Sequence, residues 1–223
     1  MTNTASASGT FAIYGPAFSP FVRAVRIYAD ELGLSPDCSM APCGDRIDFK
    51  SPGHLAMNPF GKVPVLMDGD ELLFETAAIC RYLDRMAGER SLLAGLSSRQ
   101  QALVDQWIGA VCEYAGARLM NGFLLEVAFP KGENGQIRMD VVLANLPKAE
   151  ELLALFSQQL QGREWLAGDD YSMADSALTP FLHYAASLPD LDGKGQLVLR
   201  DTRLSRYLQQ VQARPSARFL SMR

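Results

Sequence analysis

The chain has 223 residues, 48% apolar and 21% charged, and its 21 basic and 25 acidic side chains leave a net charge of −4. One or two domains with a real core are expected at this size, and ordinary composition excludes disordered, collagen-like and low-complexity classes. The lack of a basic surplus argues against nucleic acid or anionic lipid as the main partner, and no run of about 18 apolar residues is present to span a membrane.

Residues 1–10 are small and polar, lack the basic and apolar regions of a secretory leader, and read as a loose tail. Residues 11–14 form a short strand candidate that Gly15-Pro16 breaks. Phe21, Val22, Val25, Ile27, Tyr28 and Leu32 then recur at helical spacing, and Gly33 stops the helix. Ile47 and Phe49 alternate with charged residues and predict a second strand. Apolar runs at 63–67 and 72–74 flank Asp68-Gly69-Asp70, a strong hairpin signal. Residues 77–86 predict a further helix with Ile79, Tyr82, Leu83 and Met86 on one face.

Past residue 90 the strands stop. Helices are expected around Leu103, Trp107, Val111 and Tyr114, then over 141–160, 172–188 and 204–211, with Pro147 kinking the second or marking its start. The expected organisation is therefore a mixed α+β unit over 11–88 and an all-α unit over 95–223. The four cysteines, Cys38, Cys43, Cys80 and Cys112, lack CxxC spacing and suit a reducing compartment. Cys80 reads as a small core residue on its helix.

Three stretches carry chemistry. In Asn58-Pro59-Phe60-Gly61-Lys62-Val63-Pro64, proline opens a strand. It stands there either as an ordinary edge proline or through a cis Val63-Pro64 bond, which would free the Val63 backbone to pair with an extended peptide. Glu75-Thr76 falls between a strand and a helix, where free N–H groups attract a carboxylate and Glu75 can accept from an ammonium. Together they suit an α-amino-acid head group, although a plain helix start explains the pair as well. Ser19-Pro20 is a standard helix opening, and the same hydroxyl can also donate to an anion.

These residues, in this order, resemble the cytosolic glutathione transferase superfamily over nearly the whole chain, as a serine-type, theta- or phi-like, bacterial-style member. The resemblance rests on Tyr14-Gly15 through Ser19 and Arg23-Ala24-Val25, the Asn-Pro-Phe-Gly-Lys-Val-Pro run, Phe74-Glu75-Thr76-Ala77-Ala78-Ile79, and Ser172-Met173-Ala174-Asp175. It implies a thioredoxin-like βαβ-α-ββα domain followed by an all-α helical bundle. It implies a cytoplasmic homodimer that activates glutathione, the co-substrate, for attack on a small hydrophobic electrophile in detoxification, without metal, membrane or nucleic acid. A non-catalytic glutathione-binding scaffold, or a glutathione-dependent isomerase or peroxidase, are the alternatives.

By resemblance, Ser19 matches the catalytic serine, and Tyr14 lies near where other classes place a catalytic tyrosine. Val63 matches the residue whose backbone pairs with the cysteinyl part of glutathione, and Pro64 the cis-proline. Glu75 and Thr76 match the γ-glutamyl anchors. Lys62 matches a position near the glycyl end, with His54 or Lys50 as possible helpers. Phe60 matches the aromatic key of family dimers. Tyr114 and Arg118, with Trp107, Met120, Phe123 and Leu124, fall where the electrophile pocket is built. The Ser172–Asp175 capping box serves folding, with a weak hydrophobic staple because Tyr171 would meet the polar Ser176.

Overall fold

The computed structural model describes residues 11–42 and 44–221, so the expected tail at 1–10 and Cys43 lie outside the described residues. Ala12–Tyr14 (β1) runs parallel to Asp37–Ser39 (β2) and antiparallel to Val65–Asp68 (β3), which pairs with Glu71–Phe74 (β4). The sheet order is β2-β1-β3-β4. The hairpin closes between Asp68 and Glu71, and Gly69 takes the positive φ of 58° that so short a turn demands.

The second strand corrects the sequence expectation. It is formed by Asp37-Cys38-Ser39, while Ile47 and Phe49 lie in the loop that follows. Ile47 packs against the small cluster of Tyr14, Met57 and Val65, and Phe49 faces the ring of His54. Their alternation therefore records two loop anchors. The true strand is a three-residue edge whose partner is β1, and it carries almost no apolar signal.

Pro20–Glu31 (α1) starts from the Ser19 cap and buries Val22, Val25, Tyr28 and Ala29. Pro52–Met57 (α2) is short, and Thr76–Met86 (α3) buries Ile79, Cys80 and Leu83. Cys80 is indeed a core residue. In the helical half, Ser98–Ala110 (α4) passes without a break into a wider, π-helical winding over Val111–Leu124. That segment is interrupted at Asn121 and at Gly122, where φ is 71°. Leu125–Ala128 (α5), Met139–Gln159 (α6), Met173–Ser187 (α7) and Thr202–Gln212 (α8) follow, and Pro215–Leu220 closes with a 3-10 turn. Pro147 lies inside α6, not at its start.

Helix α7 is buried along most of its length and packs against α1, α4 and the π-helical segment. Its capping box forms: the Ser172 N–H donates to Asp175 at 2.9 Å, and Asp175 also accepts from the Leu166 N–H at 2.8 Å and the Tyr207 hydroxyl at 2.7 Å. The staple is polar, since the hydroxyls of Tyr171 and Ser176 bond to each other at 2.9 Å. No helix among the described residues is long and apolar enough to cross a membrane.

Candidate active site

A cleft of about 1190 Å³ runs between the α/β half and the helical half. Ser19, Lys62, Val63, Pro64, Glu75 and Thr76 all line one wall, so six residues scattered over 58 positions of sequence converge on one space.

Ser19 is the N-cap of α1 and is nearly buried. Its oxygen accepts from the Val22 N–H at 3.4 Å, a long cap bond that uses only a lone pair. The hydroxyl hydrogen has no acceptor among the described residues, so capping and donation to a cleft anion are compatible without a change of rotamer. Gly15, with φ 151°, makes this approach possible: a Cβ there would sit 2.5 Å from the Val22 side chain and 3.2 Å from Val63.

Tyr14 is fully buried and does not line the cleft. Its hydroxyl donates to the Ile47 carbonyl at 2.9 Å, and burial followed by the Asp48 charge pushes the phenol above its ordinary value. Of the two, only Ser19 lines the cleft.

The Val63-Pro64 bond is cis. The Val63 N–H and C=O pair with no other described backbone group, which leaves an edge open to an extended ligand. Two buried side chains fix the preceding carbonyl. His54 Nδ1 accepts from the Lys50 N–H at 3.0 Å, so its Nε2 carries the proton and donates to the Lys62 carbonyl at 3.0 Å. Asn58 Nδ2 donates to the same oxygen at 3.0 Å. His54 is completely buried with both nitrogens engaged, so it holds backbone and does not reach the cleft. Lys50 is absent from the lining too, whereas the exposed Lys62 side chain is on it.

Glu75 caps α3 with φ 71° and ψ 120° and makes no side-chain cap bond. A non-glycine residue at positive φ costs about 1–3 kcal/mol and persists where the surroundings impose it, often at functional sites. Thr76, the first residue of α3, is buried against the cleft and its hydroxyl bonds to no other described residue. The helix end thus offers free N–H groups, a hydroxyl and an exposed carboxylate within one turn.

The opposite wall is largely apolar and comes from Gly109, Cys112, Glu113, Gly116, Met120, Leu124, Phe129 and Tyr184. Met120 and Leu124 are where the resemblance implied. Tyr114 and Arg118 are not: Tyr114 is 50% exposed, and Arg118 pairs with Glu151 of α6 at 3.3 Å. Trp107 and Phe123 also lie off the cleft. Residues 109, 112, 113, 116 and 120 recur at intervals of three and four and share the face turned to the cleft, whereas Tyr114 and Arg118, two residues on from Cys112 and Gly116, fall about half a turn round and lie off it.

The described cysteines are not activated nucleophiles. Burial pushes the Cys38 thiol up to about 11, and burial with the Glu75 charge pushes Cys112 up to about 12. The fully buried Cys80 is pushed up as well. No group of His, Cys, Asp and Glu among the described residues is arranged to hold a metal ion. The cleft therefore presents a hydroxyl at Ser19, an open peptide edge at Val63, and a carboxylate and a hydroxyl at Glu75-Thr76.

Two family descriptions match: glutathione S-transferase, N-terminal domain, over residues 13–91, and glutathione S-transferase, C-terminal domain, over residues 119–215. Glutathione S-transferase 4 of Zea mays is 36% identical over 170 residues, covering 76% of this chain and 74% of its own. Among solved structures, maize glutathione S-transferase I in complex with an atrazine–glutathione conjugate superposes with a TM-score of 0.77 at 28% identity, over 95% of this chain and 96% of that one. The theta-class glutathione S-transferase of Xanthomonas axonopodis pv. citri, with glutathione bound, shares the fold with a TM-score of 0.74 at 23% identity, over 96% and 99% of the two chains.

Proposed function

Because the chain belongs to the glutathione S-transferase family, its reaction is conjugation through the glutathione thiol, and we propose that Ser19 holds that thiol as thiolate for attack on a small hydrophobic electrophile. The supporting observation is the Ser19 hydroxyl at the start of α1, on the same cleft wall as Val63, Glu75 and Thr76 and with its hydrogen uncommitted.

A free thiol with pKa near 8.5 is only about 3% ionised at pH 7. Lowering the value by roughly two units makes the thiolate the main form and requires about 2.7 kcal/mol of preference for the anion. A hydrogen bond to a charged acceptor supplies about 1.5–3 kcal/mol, and the positive end of α1 adds about 0.3–1 kcal/mol. Ser19 at its helix start is sufficient in size. The serine keeps its proton and donates it in a hydrogen bond; the nucleophile is the sulfur of glutathione.

The remaining residues place the tripeptide. The open backbone of Val63 pairs with the cysteinyl unit as an added strand would. Glu75 receives the γ-glutamyl ammonium, and Thr76 with the first N–H groups of α3 receives the α-carboxylate. The Lys62 ammonium meets the glycyl carboxylate. The apolar wall of Met120, Leu124 and Phe129 receives the electrophile. Phe60, exposed at 68%, is the key of a cytoplasmic homodimer, and detoxification is the role such chemistry serves.

Calorimetry with glutathione, followed by turnover of aryl halides, isothiocyanates, enals, hydroperoxides and maleyl-type isomerisation substrates, tests this reading. Conjugate appearing as thiol is consumed supports it. Glutathione binding without turnover of any member would make the protein a scaffold. Isomerisation or peroxide reduction without a conjugate would move it to those reactions.

A further inference from the structure

The turn that delivers Ser19 has each of its four carbonyls occupied. Pro16 O accepts from the Ser19 N–H at 3.0 Å, and Ser19 O from the Arg23 N–H at 2.9 Å. Ala17 O accepts from Arg23 Nε at 2.8 Å. Phe18 O accepts from the hydroxyl of Tyr184 at 2.5 Å. Three of the four bonds are local to residues 16–23. The fourth comes from α7, 166 positions away in sequence, and is made at the peptide that leads directly into Ser19.

Tyr184 is tied into this arrangement a second way. The Arg23 guanidinium that holds Ala17 lies over the Tyr184 ring, 4.8 Å from its centroid, while another arm of Arg23 donates to Leu220 O at 2.6 Å. The residue it grips is also bracketed on the other side, because the Phe18 ring meets that of Phe129 at 5.7 Å across the cleft mouth. The helical half therefore holds Phe18 by its backbone and by its ring, one residue from the proposed donor to the thiolate.

We propose that Tyr184 is a positioning residue for the reaction: its hydroxyl fixes the Phe18–Ser19 peptide and so aims the Ser19 hydroxyl at the glutathione sulfur. A hydrogen bond aimed at a charge weakens steeply as its angle opens, and supporting groups must hold a site within about 0.5 Å and 10–20°. Rotation of the Phe18–Ser19 peptide displaces the Ser19 Cα and its hydroxyl together. Burial raises the Tyr184 phenol above its ordinary value, so it stays a neutral donor through the working pH range. The assignment rests on the reading of Ser19 as thiolate stabiliser.

Tyr184→Phe keeps the ring over Arg23 and deletes only the hydroxyl. The thiolate ultraviolet absorbance of bound glutathione is followed against pH in wild type, Tyr184→Phe, Ser19→Ala and the double variant, with glutathione affinity and thermal melting measured in each. The expected result is a higher apparent thiol pKa in Tyr184→Phe, with kcat roughly three- to tenfold lower near neutrality, the scale of one ordinary hydrogen bond. The rate should recover at high pH, glutathione affinity should change less than twofold, and the Tyr184 change should be silent once Ser19 is alanine. A purely structural tyrosine would lower melting without moving the thiol titration. If Ser19→Ala shifts the titration and Tyr184→Phe does not, or if the Tyr184 effect persists in the Ser19→Ala background, the positioning role is wrong while Ser19 stands. If Ser19→Ala itself shifts nothing, both fall together.

Discussion

The guanidinium of Arg214 forks onto the carboxylate of Glu31, Nε to Oε1 at 2.9 Å and Nη2 to Oε2 at 2.6 Å. Glu31 ends α1 in the α/β half, and Arg214 follows α8 in the helical half, so the pair ties the two halves together. Ser216 Oγ donates to the same carboxylate, and the Arg214 guanidinium lies over the Tyr171 ring at 4.1 Å.

This fork predicts acid sensitivity. Burial alone would raise the Glu31 carboxyl, but the bonds from Arg214 and Ser216 outweigh it and hold the group below its ordinary value. A lowered carboxyl contributes stability that is complete above the unfolded value of about 4.3 and is lost as pH falls through the folded value. Glu31→Gln should therefore lower stability near neutrality by about 1–3 kcal/mol and flatten the acid limb of the denaturation curve. Urea unfolding from neutral to acid pH checks this; parallel wild-type and variant curves would show that the fork contributes nothing.

A second prediction separates binding from folding at one residue. Glu75 sits at φ 71°, which glycine adopts freely. Glu75→Gly should leave fold stability unchanged or raised by about 1 kcal/mol. The same change removes the partner of the γ-glutamyl ammonium and should weaken glutathione binding by roughly 10- to 150-fold, the range for a hydrogen bond to a charged group. Thr76→Ala should weaken binding without the gain in stability. Unchanged affinity in both variants would place the head group elsewhere.

Phe60 gives a third. It is the most exposed large apolar side chain described, and its ring meets Phe74 edge-on at 6.0 Å. A second subunit is the natural cover for such a ring in the Asn-Pro-Phe-Gly turn. Sedimentation of wild type at micromolar concentration should show a dimer, and Phe60→Ala should shift it towards monomer. A monomeric wild type would refute the key.

The order of strands and helices was legible because local signals carry it, and the residues from Ser19 to Thr76 that line one wall of the cleft were picked out by family resemblance at those same signals. Ser19-Pro20 marks a helix start, Asp68-Gly69-Asp70 a hairpin, and Glu75-Thr76 a strand-to-helix junction. What escaped depends on distance or on which helix face meets the cleft. The edge strand at Asp37–Ser39 is specified by β1 and not by its own alternation. Tyr114 and Arg118 were assigned to the cleft by family resemblance, whereas the helix face that lines it, 109, 112, 113, 116 and 120, excludes them. His54 and Asn58 lie in legible stretches, but their task is to hold a carbonyl in a neighbouring loop. Tyr184 could be placed near Phe18 only by the fold.

The last prediction concerns Ser19, on which the thiolate reading rests. Its oxygen accepts the Val22 N–H bond and its hydrogen is left for the cleft. Ser19→Ala deletes both functions, so the structural cost must be measured first. The cap bond is long at 3.4 Å, and the loss should be no more than about 1 kcal/mol. With the variant folded, the apparent pKa of bound glutathione should rise towards the free value of about 8.5. Conjugation should slow roughly 10- to 150-fold at neutral pH, the equivalent of about 1.5–3 kcal/mol of lost hydrogen bonding to the sulfur. Much of that rate should return at alkaline pH, where the thiol ionises unaided. Glutathione affinity should fall less than the rate, since Val63, Glu75, Thr76 and Lys62 remain in place. Identical thiolate titrations in variant and wild type would remove Ser19 from the mechanism. Tyr14 is then a poor substitute, because its hydroxyl is spent on the Ile47 carbonyl and its ring is fully buried. In that event the positive end of α1 would remain as the source of thiolate stabilisation, through backbone N–H groups that a side-chain substitution leaves in place.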